Sequence, residues 1–205
     1  DRVMTTAATE LSPGSVFAGH EIRSLIGRGG MGVVYRARHI PLDREVALKL
    51  IAPGLSADAD FRERFKRESR VAAALDHPHA IPVYDAGQSE GLLYITMRFV
   101  DGTDLRELLL RRGALPPDEV CVIAGQIASA LHAAHEMGMV HRDVKPANIL
   151  VEQGPYAFLT DFGLTKTADT GSMLTRSGMI VGSFDYISPE QLEGGEVDAR
   201  SDVYA

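Results

Sequence analysis

The stretch "MVHRDVKPANIL", residues 139–150, places a carboxylate at Asp143, an amine at Lys145 and an amide at Asn148 within one short segment. Taken singly, each of these groups could cap a loop by bonding its own backbone. Their joint meaning depends on what the rest of the chain supplies. The other segments that matter are the glycine-rich "GRGGMGVV" (27–34), the "VALK" that ends at Lys49, and the "DFG" of Asp161–Gly163.

Composition leaves room for a packed fold and excludes several classes of function. The chain has 205 residues, 45% of them apolar and 24% charged, the profile of an ordinary globular protein with enough sequence for a sizeable core. A net charge of −7 disfavours a broad electrostatic grip on nucleic acid, while a locally basic pocket could still hold a phosphorylated ligand. The single cysteine, Cys121, excludes an internal disulfide, and no Cys/His spacing is that of a zinc site. No apolar run is long enough for a membrane span, and residues 1–15 lack the plan of a signal peptide. The segment is expected to be cytoplasmic, without nucleic acid or membrane contact.

Residues 1–15 are polar and punctuated by Pro and Gly, and read as a flexible leader. Three β-branched runs follow, "HEIRSLIG", "GVVYRARH" and "EVALKLI", divided by glycines or by "IPLD", which predicts an antiparallel meander. Phe61, Phe65, Val71 and Leu75 share one face of a charge-rich helix predicted over 58–75, closed by the "DHPH" segment. Two more strands, "IPVYDAG" and "GLLYITM", complete a first lobe over 16–98, and "RFVDG" reads as a connector to a second lobe over 99–205. There Val120, Ile123, Ala124, Ile127, Leu131 and Ala134 predict a core helix over 117–137 stopped at Gly138. Short strands are expected around "NILV" and "AFLT". The stretch from Asp161 to Glu190 shows no obvious structure, and in a compact domain a loop of that length is usually functional.

Gly27, Gly29 and Gly32 form a G-x-G-x-x-G pattern, whose missing side chains let backbone approach phosphate oxygens. A dinucleotide-binding loop would lead into a helix, whereas here Val33, Val34 and Tyr35 continue as a strand. Lys49 sits among apolar neighbours, where an ammonium needs a partner, and Glu68 on the predicted helix could supply one. A nucleoside triphosphate brings a hard cation that takes oxygen ligands, for which Asn148 and Asp161 are suited. Asp143 is then free to orient a hydroxyl and accept its proton, and Lys145 to neutralise charge on a transferring phosphoryl group.

Together these motifs resemble the eukaryotic-like protein serine/threonine kinases, and "GRGGMGVVYRA", "HRDVKPANIL" and "SPEQ" are closest in wording to bacterial members. The resemblance implies an α+β, two-lobed fold with a small antiparallel β lobe, a larger helical lobe and the active site between them. It implies that Gly27, Arg28, Gly29, Gly30, Met31 and Gly32 cover the phosphates of ATP, and that Val34, Ala47 and Leu150 enclose adenine. Met97, Phe99 and Val100 would line the hinge, with Met97 as gatekeeper. Lys49, clamped by Glu68, would touch the α- and β-phosphates. Asp143 would be the catalytic base, Lys145 the γ-phosphate contact, and Asn148 and Asp161 the ligands of Mg2+, with Mn2+ as an alternative ion. Lys145 and the "GS" of Gly182 and Ser183 point to serine or threonine acceptors on proteins. Thr175 and Ser177 are the expected sites of autophosphorylation, by self-association in trans, with Arg142 and Lys166 forming the phosphate pocket.

Three positions depart from the family pattern: Arg98 where an acidic hinge residue is usual, Ser188 for alanine, and Ser183 for threonine. Asp202 resembles the aspartate that opens a long central helix, and Glu190 would pair with an arginine further on. The sequence does not begin with methionine and stops at "RSDVYA", where a helical pattern is starting, so both ends are expected to continue, and many bacterial members of the family carry a membrane anchor and sensor beyond the kinase segment. A pseudokinase or regulatory nucleotide-binding module is the alternative reading. His132 and His135 lie one turn apart and are expected to pack or to lie at the surface rather than bind metal, and Cys121 to be a buried small hydrophobe.

Overall fold

In a computed structural model of the chain, residues 10–152, 154–162 and 184–205 are described. They form two compact units, one of residues up to Lys66 with Val83–Phe99, the other of Arg67–Pro82 with Val100–Ala205.

The first unit is built on six strands, β1 (Val16–Phe17), β2 (His20–Gly29), β3 (Gly32–His39), β4 (Arg44–Ile51), β5 (Val83–Ser89) and β6 (Leu92–Arg98). They make one antiparallel sheet in the order β1-β2-β3-β4-β6-β5, the expected meander with a second hairpin added. The β5–β6 turn has positive φ at both Glu90 and Gly91, the mirror-image turn whose twist matches that of the strands it joins. One face of the sheet is the core, where Phe17, Ile22, Tyr35, Ala37, Val46, Leu48 and Leu50 pack together. Truncating a buried leucine such as Leu48 to alanine would cost about 2–5 kcal/mol.

Residues 10–15, expected to be part of a loose leader, are fastened to this sheet. Leu11 N donates to the Tyr35 hydroxyl at 3.1 Å, Gly14 N donates to Ile22 O at 2.8 Å, and Glu10 pairs with Arg28. A short helix α1 (Pro53–Ala57) precedes α2 (Ala59–Ala74), whose first turn is capped by Asp58 accepting from Phe61 N at 2.7 Å. Phe61 and Phe65 are buried on one face, as the period requires.

The second unit carries α3 (Leu105–Arg112), α4 (Pro117–Glu136), α5 (Pro189–Glu193), α6 (Ala199–Tyr204) and a small antiparallel sheet of β7 (Thr103–Asp104), β8 (Ile149–Val151) and β9 (Ala157–Leu159). Helix α3 was not expected. Asp104 caps it by accepting from Glu107 N at 2.8 Å. Helix α4 buries Ile123, Ile127, Ala130, Leu131 and Ala134 and packs on β9, where Gln126 accepts from Ala157 N at 2.7 Å.

Two expectations for α4 are corrected. Val120 and Ala124 are exposed along an apolar groove of about 660 Å³ that Leu109 and Leu115 also line. Cys121 is exposed rather than buried. It lies two residues from buried Ile123, and two residues turn a helix by roughly 200°, onto the opposite face.

Candidate active site

In the first unit the register of the sheet places the expected nucleotide contacts. Val34 lies opposite Lys49, Arg36 opposite Ala47, and Ala47 opposite Met97. Directly opposed residues share a face and alternation puts the intervening ones on the other. Val34, Ala47, Lys49 and Met97 thus occupy the face opposite Tyr35, Val46, Leu48 and the rest of the core. Lys49 is buried, at 7% exposure, as are Ala47 and Met97. Phe99, at the end of this unit, lies beneath the Arg36 guanidinium, 4.7 Å from the ring centre.

The glycines of the β2–β3 hairpin divide into two kinds. A side chain on Gly27, Gly29 or Gly30 would meet nothing within 4 Å, so the chain's own packing does not require their smallness and the space above the hairpin is open to a ligand. Gly32 is different. At φ +149 its added Cβ would lie 1.8 Å from Leu50 O, so the close approach of β3 to β4 demands glycine there. Met31, between the two kinds, accepts from Ala52 N at 2.8 Å through its carbonyl and ties the hairpin tip to the end of β4.

In the second unit the opening stretch folds into a tight loop closed by a 3-10 turn, Pro146–Asn148, which presents its three chemical groups to one another. Lys145 Nζ lies 2.7 Å from Asp143 Oδ2. Asn148 Nδ2 donates to the Asp143 carbonyl at 2.8 Å and to its carboxylate at 3.0 Å. Asn148 spends its nitrogen on Asp143 and keeps its amide oxygen for another partner. Its own carbonyl accepts from Thr160 N at 3.0 Å, joining the loop to the segment that carries Asp161. Leu150 stands on β8 opposite Phe158.

Two residues here have positive φ without being glycine, Arg142 at 66° and Asp161 at 65°. Such conformations cost about 1–3 kcal/mol each and persist only where neighbours over-determine them. At Arg142 the neighbours are plain. Asp202, at 3% exposure, accepts from Arg142 N through Oδ1 and from His141 N through Oδ2, both at 2.7 Å. His135 Nε2 lies 2.7 Å from the same Oδ2. His141, fully buried, bonds Thr160 O at 2.9 Å through Nε2 and accepts from Asp143 N at 3.2 Å through Nδ1. Burial holds its imidazole below the usual pKa, opposed by the Thr160 carbonyl and by Asp202, Asp161 and Asp143.

Glu68, Arg142, Met139 and Phe162 border a cavity of about 180 Å³ together with Arg67 and Val71. Val100 is buried at the start of the unit's second segment, Val100–Ala205. Glu190, expected to pair with an arginine, receives the Ser201 hydroxyl, which lowers its carboxyl pKa. Gly163, Lys166, Thr175, Ser177, Gly182 and Ser183 lie outside the described residues. Sequence reasoning missed the roles of His135 and Gln191. The only signal for Gln191 is its place in "SPEQ". Among the described residues no cluster of three or more His, Cys, Asp or Glu has the arrangement of a metal site.

The family model described as the protein kinase domain matches residues 20–205. The chain belongs to the protein kinase domain family. Among curated relatives, this kinase domain is 46% identical over 192 residues to serine/threonine-protein kinase PknH of Mycobacterium bovis, covering 94% of the chain and 32% of that protein. It is 47% identical to PknD of Mycobacterium tuberculosis, covering 94% of the chain and 29% of that protein. The domain thus spans about a third of the length of the curated relatives it matches. Among solved structures it resembles a single-site mutant of the PknI kinase domain of Mycobacterium tuberculosis, with a TM-score of 0.79 at 37% identity, covering 94% of this chain and 72% of that one. The expected α+β kinase fold is the observed one. No helix among the described residues is long and apolar enough to cross a membrane.

Proposed function

We propose that the chain is the catalytic domain of a bacterial protein serine/threonine kinase, which transfers the γ-phosphate of ATP to hydroxyls of protein substrates. The observation that carries this reading is the convergence of Lys145 Nζ and Asn148 Nδ2 on the Asp143 carboxylate, at 2.7 and 3.0 Å.

The open space at Gly27, Gly29 and Gly30 suits the triphosphate, with Arg28, Met31 and Gly32 completing the hairpin over it. Val34, Ala47 and Leu150 enclose adenine, and Met97, Phe99 and Val100 line the hinge. Lys49, held by Glu68, takes the α- and β-phosphates. The oxygen donors of Asn148 and Asp161 fit a hard divalent cation, Mg2+ ahead of Mn2+, which when bound screens the charge of the phosphates. Asp143 orients the acceptor hydroxyl and receives its proton, and Lys145 shifts between that carboxylate and the departing γ-phosphoryl oxygens. The work is positioning and charge neutralisation. In this reading residues 16–98 form the nucleotide-binding lobe and 99–205 part of the acceptor-binding lobe. Thr175 and Ser177 are autophosphorylated in trans, with Arg142 and Lys166 receiving the phosphate, and the domain works in the cytoplasm.

Incubating the full-length protein with radiolabelled ATP and Mg2+, beside Asp143→Asn, tests the assignment. Label should reach protein in the wild type and fall by about 10²–10⁴-fold in the variant. Equal labelling would sink the role of Asp143. ATP binding with no transfer by the wild type would make the domain a pseudokinase.

A further inference from the structure

Gln191 lies in α5, far in sequence from the catalytic loop, yet its side-chain nitrogen donates to Arg142 O at 2.9 Å. Its amide oxygen accepts from both the backbone N and the hydroxyl of Ser188, each at 3.2 Å. Both residues are buried, Gln191 at 8% and Ser188 at 0% exposure. The bonded carbonyl belongs to the peptide that joins Arg142 to Asp143. The N–H of the same peptide donates to His141 Nδ1, and the preceding peptide N–H is held by Asp202. Gln191 therefore grips one end of the peptide plane whose rotation would swing the Asp143 side chain, at a residue whose positive φ favours relaxation.

We infer that Gln191 is a positioning residue for phosphoryl transfer: one amide fixes the Arg142–Asp143 peptide with its nitrogen and the N-terminal turn of α5 with its oxygen. This rests on the kinase reading above. Because the same side chain holds the turn that starts α5, the loop bearing Asp143 and the segment leading into α5 keep one register. Gln191 touches no reacting atom, so its loss lowers turnover and leaves nucleotide affinity alone.

The test uses Gln191→Glu and Gln191→Met in the full-length protein, with label transfer from ATP to dephosphorylated casein and thermal melting measured together. The carboxylate keeps the acceptor for Ser188 but cannot donate to Arg142 O, whereas its protonated form can. At pH about 7.5 both variants should lose about tenfold in kcat with the ATP KM within about twofold. As pH falls to about 5.5 the Glu variant should recover several-fold relative to wild type, since burial raises a carboxyl pKa, and the Met variant should not. Wild-type kcat in both variants overturns the inference. So does a deficit in the Glu variant that ignores pH and matches that of the Met variant, which would mark a merely structural role. A wild type that transfers no label overturns the kinase reading itself, and this inference with it.

Discussion

Asn148 donates through one nitrogen to both the main-chain carbonyl and the carboxylate of Asp143, at 2.8 and 3.0 Å, so the residue assigned to the cation also fixes the residue assigned to the proton. On the function proposed above, the two roles share one amide, which couples the proposed cation ligand mechanically to the proposed base. Lys145 binds the same carboxylate oxygen.

Replacing Asn148 by Asp should therefore be worse than losing a ligand. The variant keeps oxygens for a cation but removes both hydrogen bonds to Asp143 and sets two carboxylates against each other. We expect transfer to fall by at least about 10²-fold, the scale of losing a positioned base. Excess Mg2+ should restore only part of it. Full recovery at high Mg2+, read by label incorporation, would show that Asn148 serves the cation alone.

The glycine hairpin separates two effects that sequence motifs merge. Gly32→Ala should destabilise the fold, because the new Cβ would lie 1.8 Å from Leu50 O and φ stands at +149. A clash and a strained backbone together should cost about 2–4 kcal/mol in urea unfolding. Gly29→Ala meets no neighbour and should unfold like wild type while binding ATP more weakly. Equal midpoints for the two variants would remove the distinction.

Much of this was legible because it is local. Alternation along "EVALKLI" fixes that Ala47 and Lys49 share a face, and the three β-branched runs with glycine breaks predict the meander. The helical period of 117–137 tells which stripe of α4 is apolar, but Ile123 and Ile127 are buried while Val120 and Ala124 are not, because period cannot say how far a covering layer extends. The bond from Gln191 to Arg142 and the three donors converging on Asp202 join residues far apart in the chain, with no periodicity to announce them. Asp104 and Leu105 were hidden for a different reason: a two-residue strand and a helix of eight residues after a connector are too short for a pattern.

Asp202 should tolerate no amide in its place. Three donors point at its two oxygens, and an asparagine would turn its NH2 group toward at least one of them. Asp202→Asn should lower stability by about 2–3 kcal/mol, the cost of leaving a buried donor unpaired beside a charged site. Turnover should fall as Arg142 relaxes from its positive φ. A variant with unchanged denaturation midpoint would show that the three bonds do not hold in solution.

Acid should weaken the fold through its histidines. His20 is buried against Thr96, 3.1 Å from the hydroxyl, and burial followed by the neighbouring His39 pushes its pKa down. Burial does the same to His141, and to His77 with help from His79. In the unfolded chain these imidazoles take up protons near pH 6.5, while in the fold they resist until lower pH. The unfolded state then binds more protons across that window, so stability rises with pH there. Full stability should be present above about pH 6.5 and fall as pH drops through the window, levelling below the folded values. Urea titrations at pH about 7.5 and 5.5 should show the loss, and His20→Phe should show a smaller one. A fold that gains stability on acidification would contradict the assignment of neutral, buried imidazoles.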